Sequence, residues 1–368
     1  MKYTILREKF LNILQKAGFF TSYKLGDIEA LKGVYIQAMT NRISLRTTNI
    51  TDIFYGEAGG KVETEGEVLV DYKTLIEVLK NIKDEKIVVE KLENMLNIQT
   101  ENGIIKIPTL DETSFPQEQE KEWEDQDKNL LSSEDIEFVA FAAATDETRP
   151  ILTGIYFDIR EDGMYMVATD GFRLSLITKK DKKTNKLKGK KFTIPAKSIQ
   201  TAIKILGKEI KKIQTDKEFS RIKITTEDTH IITRFLEGEF PPYEKVIPQQ
   251  TTTSILFKTE DFLSALKTVS LFSRDGSNMV ELTITETEIE LYSVRSTNGE
   301  ARLKVPLINK EGTDAKIVFN HKFLSAFFSI NQSKEVIFEM NESNMPGIFK
   351  EGGKEGLVHI IMPIRSQE

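Results

Sequence analysis

Apolar and polar residues follow the same pattern three times along this chain. A helix-spaced apolar pattern follows a short strand-like run at Phe10, at Ile136 and at Phe262, and each step between these landmarks is 126 residues. Each block has a second helical pattern whose first apolar residue follows a lysine by two positions, in the pairs Lys73 and Leu75, Lys197 and Ile199, and Lys322 and Leu324. A period of this length matches a whole domain, so the pattern predicts a triplicated domain.

Each block also contains a weaker twofold repeat. Both helical patterns of a block are preceded by a β-rich segment and followed by strands in which polar and apolar residues alternate. The dipeptide Phe115-Pro116, late in the first block, recurs as Phe240-Pro241 in the second. The sequence therefore predicts an α+β fold of three domains with six helices in all.

Two polar stretches mark the domain boundaries. Residues 117–128 are mostly charged and contain only Trp123 to bury, so we interpret them as the end of the first domain and a linker. A second junction lies at residues 248–253. The predicted domains are residues 1–122, 128–248 and 252–368, and each is long enough to bury its own core.

The composition favours a reducing, cytoplasmic location. None of the 368 residues is a cysteine, which excludes disulfides, a thiolate nucleophile and zinc–thiolate sites. The first ten residues are charged and lack the apolar core of a signal peptide, and no window approaches the roughly 18 to 20 apolar residues that span a bilayer. We therefore expect no membrane association. The net charge of −6 excludes a chain that is basic throughout, but not local basic surfaces.

Four of the six predicted helices carry two basic residues seven positions apart, which places both on one helix face. The pairs are Lys9 and Lys16, Lys73 and Lys80, Lys197 and Lys204, and Lys267 and Arg274. Two interpretations remain open: lysine on the wet face of an amphipathic helix is ordinary, while its recurrence in an acidic chain also fits sequence-independent contact with phosphates. The helix predicted over residues 133–144 begins with acidic residues instead. We interpret the basic run at residues 179–191 as a solvated loop between strands rather than a nucleic-acid patch.

Residues typical of catalysis occur without the spacing that catalysis requires. His230, His321 and His359 show no metal-binding spacing, and the chain has no glycine-rich phosphate loop. Asp170, between Thr169 and Gly171, fits turn chemistry better than acid or base catalysis, because no partner completes a catalytic pair. We expect no catalytic residues, no metal and no cofactor.

Four segments resemble a known family, and the resemblance covers the whole chain in order. These segments are residues 147–154 (ETRPILTG), 168–174 (ATDGFRL), 239–243 (EFPPY) and 362–365 (MPIR). They are similar to those of the bacterial sliding clamps, the β subunits of DNA polymerase III. The resemblance implies a head-to-tail ring of two chains and six clamp domains, with helices on the inner face and antiparallel sheets outside. Such a ring encircles double-stranded DNA and serves DNA replication as a non-catalytic processivity factor.

The resemblance also implies partners and a cleft that receives them. The partners are a second copy of the chain, double-stranded DNA without sequence preference, the catalytic subunit of DNA polymerase III, the clamp loader and other proteins with a clamp-binding motif. The implied cleft binds a short, partly apolar peptide. Its walls would be Leu152, Thr169, Gly171, Phe172, Arg173, Leu174, Pro241, Val246, Asn320, Phe323, Met345, Pro346, Met362, Pro363, Ile364 and Arg365. For Leu152, Leu174 and Val246, plain core packing remains an alternative.

Two further sets of residues follow from the resemblance. The DNA-facing pore would present Lys9, Lys16, Lys73, Lys80, Arg149, Lys197 and Lys204. The dimer interface would place Leu271 and Phe272 against the strand that holds Ile105 and Ile107, with Lys73 opposite acidic residues such as Glu300.

A second class of function remains an alternative on the residues alone. A β-rich hydrolase or ligand-binding protein would use carboxylates near Asp170. The two classes differ in a simple observation, because only a clamp is retained on circular DNA and released when that DNA is made linear.

Overall fold

The computed structural model describes residues 1–24, 28–118, 121–180, 186–273, 278–293, 299–352 and 356–364, apart from the side chain of Lys208. The chain divides into two compact units. The first comprises Met1–Leu131 and Ser198–Phe235, and the second comprises Ser132–Lys197 and Leu236–Glu368.

Six α-helices occur in the described residues, as the sequence predicts. They are α1 (Arg7–Ala17), α2 (Tyr72–Asn81), α3 (Ser133–Ala140), α4 (Ala196–Leu206), α5 (Thr259–Phe272) and α6 (His321–Ile330). All the landmark positions Phe10, Ile136, Phe262, Leu75, Ile199 and Leu324 are buried. Gly207 follows the last residue of α4 in the left-handed region, with φ +50°, as is common where a helix ends.

The strands are more numerous, and each lies in one of two long antiparallel sheets. In the first half of the chain they are β1 (Lys2–Leu6), β2 (Gly33–Met39), β3 (Arg42–Thr48), β4 (Asp52–Gly59), β5 (Lys61–Thr64), β6 (Gly66–Asp71), β7 (Lys86–Leu92), β8 (Met95–Thr100), β9 (Gly103–Leu110), β10 (Trp123–Gln126), β11 (Gly154–Ile159), β12 (Met164–Thr169) and β13 (Arg173–Lys179). In the second half they are β14 (Lys191–Pro195), β15 (Lys212–Asp216), β16 (Arg221–Thr225), β17 (Thr229–Arg234), β18 (Thr253–Lys258), β19 (Met279–Ile284), β20 (Glu288–Ser293), β21 (Arg302–Gly312), β22 (Ala315–Asn320), β23 (Glu335–Met340), β24 (Gly347–Glu351) and β25 (Leu357–Ile361).

Each compact unit is built on one sheet. The sheet of the first unit has thirteen strands in the order β10-β15-β16-β17-β4-β3-β2-β6-β9-β8-β7-β1-β5, and α1 packs beside α2. The sheet of the second unit has twelve, in the order β14-β11-β12-β13-β25-β24-β23-β18-β21-β20-β19-β22, and α5 packs beside α6. Both sheets continue across predicted domain boundaries, through the pairs β4–β17 and β13–β25.

Side-chain caps fix where the second helix of a block begins. The Asp71 carboxylate accepts a hydrogen bond from the N–H of Thr74 over 2.8 Å and thereby caps α2. Asn320 caps α6 in the same way through the N–H of Lys322, over 3.0 Å. The two caps occupy equivalent positions in the first and third blocks, which supports the repeat seen in the sequence.

The helix predicted over residues 133–144 is shorter than expected. It ends at Ala140, after which the N–H groups of Ala142 and Ala143 bond three residues back and that of Ala144 bonds the carbonyl of Leu152. The α-helix therefore ends in a tighter turn with hydrogen bonds between residues three apart, and the N–H of Ala144 bonds a later segment instead of continuing the helix.

The predicted linker contains a strand. β10 pairs antiparallel with β15, and Trp123 lies opposite Asp216. The ammonium of Lys223 is 4.3 Å from the centroid of the Trp123 indole, and Lys121 bridges to Asp216 over 3.0 Å. These contacts order a segment whose composition suggests a linker. No helix in the described part of the chain is long and apolar enough to cross a membrane.

Candidate functional site

The turn between β12 and β13 is held by its own side chains. Asp170 Oδ1 accepts the N–H groups of Phe172 and Arg173 over 2.9 and 3.0 Å, and its Oδ2 accepts Arg173 Nε over 2.9 Å. Thr169 Oγ1 accepts the N–H of Gly171 over 3.0 Å and donates to the carbonyl of Arg173 over 2.6 Å. Both carboxylate oxygens of Asp170 therefore serve the turn, as expected for structural rather than catalytic chemistry.

Gly171 is required at the tip of this turn. Its φ of +90° lies in the left-handed region, and a Cβ there would stand 3.0 Å from Arg149 Nη2. The same Arg149 nitrogen donates to the carbonyl of Asp170 over 3.3 Å. The structure thus places Arg149, which the resemblance assigns to the pore, against the turn.

Aromatic rings position Arg173. Its guanidinium lies 5.1 Å from the ring centroid of Phe323 and 5.3 Å from that of Phe141. Phe172 stacks on Phe323 with centroids 6.3 Å apart, yet 61% of Phe172 remains exposed. Phe141 is not among the predicted site residues, because its position late in a helical pattern indicates only core packing.

Residues 362–364, which follow β25, lie against this turn. The N–H of Met362 donates to the carbonyl of Phe172 over 2.8 Å, and the N–H of Ile364 donates to the carbonyl of Val318 over 2.8 Å. Met362 is exposed, whereas Pro363 and Ile364 are half-buried. Arg365 lies outside the described residues.

An apolar cluster underlies the turn and the chain end. It comprises Val167, Leu174, Leu176, Tyr243, Ile348 and Ile360, with Phe240 and Ile247 packed against it. Leu152 and Leu174 are almost wholly buried, so they belong to the core beneath the surface. Pro241 and Val246, which are next in the chain to Phe240 and Ile247, are exposed. In the protein without a bound partner, Leu152 and Leu174 therefore pack in the core, as the alternative interpretation holds.

The remaining predicted cleft residues lie at the ends of neighbouring elements. Asn320 caps α6, and Phe323 follows in its first turn. Met345 is exposed, and Pro346 directly precedes β24, whose first residue Gly347 pairs with Ile361. Phe172, Arg173, Phe323 and Met362 are thus joined by direct contacts.

The basic helix residues differ in their surroundings. Lys9, Lys73, Lys80, Lys197 and Lys204 are exposed, whereas Lys16 is half-buried. Lys80 forms an ion pair with Glu77 over 2.9 Å, and the ammonium of Lys73 lies 3.8 Å from the ring centroid of Tyr23. Arg274, predicted to pair with Lys267, lies outside the described residues.

Strand β9, which holds the expected interface residues Ile105 and Ile107, and strand β21 each have an edge without a partner among the described strands. Over residues 103–108, β9 pairs with β8 alone among the described strands, and over residues 302–306 β21 pairs with β20 alone. Ile104 is 59% exposed, whereas Ile105 is half-buried and Ile107 is buried in its own unit. Leu271, at the end of α5, is 55% exposed, and Phe272 is half-buried. Glu300 accepts a hydrogen bond from the Tyr292 hydroxyl over 3.1 Å.

Solved structures share this fold. The DNA polymerase sliding clamp of Bacillus subtilis superposes with a TM-score of 0.92 at 22% identity, covering 100% of this chain and 99% of that one. The clamp of Bartonella birtlesii, in a structure with bound griselimycin, superposes with a TM-score of 0.90 at 23% identity and covers 100% of each chain.

Sequence comparison agrees over the full length. The beta sliding clamp of Chlamydia muridarum is 24% identical over 371 residues, covering 99% of each chain, and that of Bacillus subtilis is 24% identical over 384 residues, covering 100% of each. The family models for the N-terminal, central and C-terminal domains of the DNA polymerase III beta subunit match residues 1–119, 127–242 and 244–365. Three clamp domains in this order, on the fold of the sliding clamps, show that the chain belongs to the DNA polymerase III beta subunit family.

Proposed function

We propose that this protein is a DNA sliding clamp that closes as a ring of two copies around duplex DNA and tethers the replicative polymerase. In this role the protein performs no reaction, and its function is to keep its partners on DNA. The proposed domains are residues 1–122, 128–248 and 252–368, and the proposed location is the cytoplasm. The two complementary strand edges carry the proposal.

The repeats of the chain support this use of the edges. At the junction of the first two domains β4 pairs with β17, and at the next junction β13 pairs with β25. Within the threefold repeat, β21 is the equivalent of β4 and β13, and β9 is the equivalent of β17 and β25. Among the described strands, neither β21 nor β9 has a partner of this kind. The β21 strand of each copy can therefore pair with the β9 strand of the other copy, which makes two equivalent interfaces. A head-to-tail dimer closed in this way is a ring.

The register of this contact follows from the two existing junctions. Tyr55 pairs with His230 in the first junction, and Leu176 pairs with Val358 in the second. The residue pairings of equivalent strands in the three domains identify equivalent positions. By this comparison Arg302 of β21 is equivalent to Tyr55 of β4, and Ile104 of β9 is equivalent to Val358 of β25. With Ile104 opposite Arg302, Lys106 lies opposite Glu300, and opposite charges directly across two strands attract.

Exposed apolar residues supply the affinity that strand pairing alone lacks. Leu271 and Phe272 end a helix of the third domain, and burial of such side chains contributes about 1.5 to 3 kcal/mol each. A twofold ring contains each contact twice. Lys73 remains a proposed interface residue, with Glu300 as one acidic neighbour.

The basic helix faces suit a clamp that must slide. Lysines bind phosphates without reading base edges, so the attraction does not fix the protein at one position on the duplex. Lys9, Lys16, Lys73, Lys204, Lys197 and Arg149 are the proposed contacts, with Lys80 weakened by its ion pair to Glu77.

The surface around Phe172 and Met362 is proposed as the docking cleft for the polymerase, the clamp loader and other proteins with a clamp-binding motif. Exposed apolar side chains beside a buried apolar cluster provide affinity for a partly apolar peptide, and Arg173 supplies a charged group that fixes direction. The hydrolase alternative has no comparable support, because Asp170 is engaged by the turn.

Sedimentation equilibrium of the purified protein tests the assembly. The expected mass at micromolar concentration is that of two chains. A mass of one chain under these conditions would contradict the ring and with it the proposed function.

A further inference from the structure

A pocket in the first unit occupies the position that the proposed cleft has in the second. Its volume is about 300 Å³, within the range of small ligand sites. Arg46, Arg221 and Arg234 contribute its positive charge, and Glu118 its negative charge. Ile50, Ile53, Tyr55, Phe115 and Pro116 complete the lining. Three guanidinium groups face one carboxylate, so the pocket has an excess of positive charge.

The turn beside this pocket repeats three hydrogen bonds of the turn in the cleft. Residues 48–52 correspond to residues 169–173. Thr48 Oγ1 donates to the carbonyl of Asp52 over 2.8 Å and accepts the N–H of Ile50 over 3.0 Å, and Asn49 Oδ1 accepts the N–H of Asp52 over 2.7 Å. These are the bonds that Thr169 and Asp170 make in the cleft. The two sites are therefore internal duplicates.

The correspondence extends to the side chains that line the two sites. The N–H of Arg234 bonds the carbonyl of Thr51 over 3.2 Å, just as that of Met362 bonds the carbonyl of Phe172. By the strand registers, Arg46 replaces Val167, and Arg221 stands where Pro346 stands in the cleft. Two cleft residues, Pro346 and Met362, and the underlying Val167 thus have arginine at the equivalent positions of the duplicate.

The arrangement of Arg221 and Arg234 would be stabilised by a bound anion. Arg221 and Arg234 lie directly opposite each other on adjacent strands, an arrangement that is unfavourable for like charges. Glu118 Oε1 is 3.7 Å from Arg221 Nη1, and Glu118 Oε2 accepts the Tyr55 hydroxyl over 2.7 Å. One carboxylate shared in this way leaves the guanidinium of Arg234, which is exposed, available to an incoming acid.

The backbone at the edge of this pocket is strained. Ile50 has a φ of +80°, where its counterpart Gly171 has +90°. A β-branched residue rarely adopts this conformation, and such outliers concentrate at binding sites. The isoleucine side chain is exposed and lines the pocket, so the strained residue adds an apolar wall that glycine would lack.

The chemistry of the pocket favours a peptide over a nucleic acid. A nucleobase needs an open aromatic face, but Tyr55 stacks on His230 with ring centroids 4.3 Å apart, and the Arg46 guanidinium covers Tyr35 at 4.3 Å and Phe115 at 5.6 Å. The pocket instead places an apolar wall beside paired arginines, which suits a peptide with alternating acidic and apolar side chains.

We propose that this pocket, which is lined by residues on both sides of the β4–β17 pairing, is a second docking site of the clamp, and that it binds a short acidic, partly apolar peptide segment of a partner. The inference that the pocket is a docking site rests on the proposed function of the cleft. The preference for acidic side chains follows from the three arginines of the pocket. A partner with both kinds of motif could then occupy two sites on one chain.

The test is the binding of two fluorescein-labelled peptides to the intact protein, followed by fluorescence polarisation. The acidic probe is Glu-Leu-Glu-Leu-Glu, and its neutral counterpart has glutamine at each glutamate. We expect the acidic probe to bind at least about tenfold more tightly, with an affinity that falls as salt rises. Arg234→Gln should weaken it about tenfold, while Arg234→Lys should retain much of the binding.

Two controls separate this site from the others. Arg42→Gln changes an exposed arginine of the same unit, which pairs with Glu57, and should leave the affinity unchanged. Met362→Ala changes the cleft and should also leave it unchanged. Equal binding of both peptides, no effect of Arg234→Gln, a loss in Met362→Ala, or tighter Arg234-dependent binding of oligothymidylate than of the acidic probe would each overturn the proposal. A failure here leaves the sedimentation result untouched, so it is distinguishable from failure of the clamp assignment.

Discussion

The N–H of Met362 donates to the carbonyl of Phe172 over 2.8 Å, and this bond ties the segment that follows β25 to the turn before β13. Both side chains are exposed, although their backbones are fixed. Residues 362–364 are therefore positioned by a scaffold that is complete before them, since β25 ends at Ile361.

Deletion of residues 362–368 should separate docking from folding. The three domains and the ring should form, but binding of a peptide from the tail of the polymerase catalytic subunit should fall more than about tenfold, because loss of one buried anchor costs at least about 1.4 kcal/mol. Fluorescence polarisation measures this binding. Deletion of residues 366–368 alone is the matched control and should bind normally. A dimeric truncation at Ile361 that binds the peptide like the intact chain would remove this surface from consideration.

Replacement of lysines on the helices should weaken the hold on DNA. Changing Lys73, Lys80, Lys197 and Lys204 to alanine should lower retention on DNA and flatten its dependence on salt, because fewer counterions are released. The matched control changes four lysines around the loop between β13 and β14, namely Lys180, Lys186, Lys188 and Lys190. Both proteins should first be shown to remain dimers. Equal losses from the two sets would refute the proposed contact surface.

Polar substitution of the apolar pair at the end of α5 should open the ring. Leu271→Asp together with Phe272→Asp should yield monomers by sedimentation, since about 1.5 to 3 kcal/mol per side chain is lost at each of two interfaces. Leu92→Asp is the control, because Leu92 is similarly exposed at 52% but lies elsewhere.

A charge reversal tests the register of the same interface. Lys106→Glu should weaken the dimer by placing it opposite Glu300, and adding Glu300→Lys should restore it. If the double variant is no tighter than Lys106→Glu alone, the proposed register is wrong even where the dimer itself survives.

Two histidines, the buried His359 and the half-buried His230, should make the protein sensitive to acid. Burial lowers the pKa of His359 to about 3, and burial followed by nearby Lys223 lowers that of His230 to about 4. Below the unfolded pKa of about 6.5 the unfolded chain binds protons that the folded chain does not, so stability is complete above that pH and falls as the solution is acidified.

For His359 the loss on going from pH 8 to pH 5 should be about 2 kcal/mol in the free energy of unfolding. In His359→Asn, urea unfolding should depend less on pH by about that amount, even though the variant loses the 2.7 Å contact with Ser175 Oγ and is less stable at both pH values. An unchanged pH dependence would show that His359 is not held neutral.

The repeating apolar pattern predicted the number and start of the helices because burial at Phe10, Leu75 and their equivalents depends on local spacing. It did not predict β10, since Trp123–Gln126 is polar and becomes a strand only by pairing with β15, a long-range contact. The early end of α3 has the same origin, because the hydrogen bond from Ala144 to Leu152 comes from a later segment.

The site was accessible from the sequence mainly through its resemblance to a family. Local chemistry explains the turn at Asp170, since aspartate and glycine in that order suit it. It does not indicate that Phe323 would stack on Phe172, or that Arg149 would contact the turn, because both depend on the fold. The arginine pocket was likewise hidden, since Arg46 is far in the chain from Arg221 and Arg234.

The central claim is that two copies enclose DNA, and the most direct test is retention on a nicked circular plasmid loaded with the clamp loader and ATP. Gel filtration should show the protein travelling with the circle. After a restriction enzyme makes the same DNA linear, the protein should separate from it, because a ring held by topology slides off free ends. Protein that stays bound after linearisation, or that binds circular and linear DNA equally without the loader, would contradict the account.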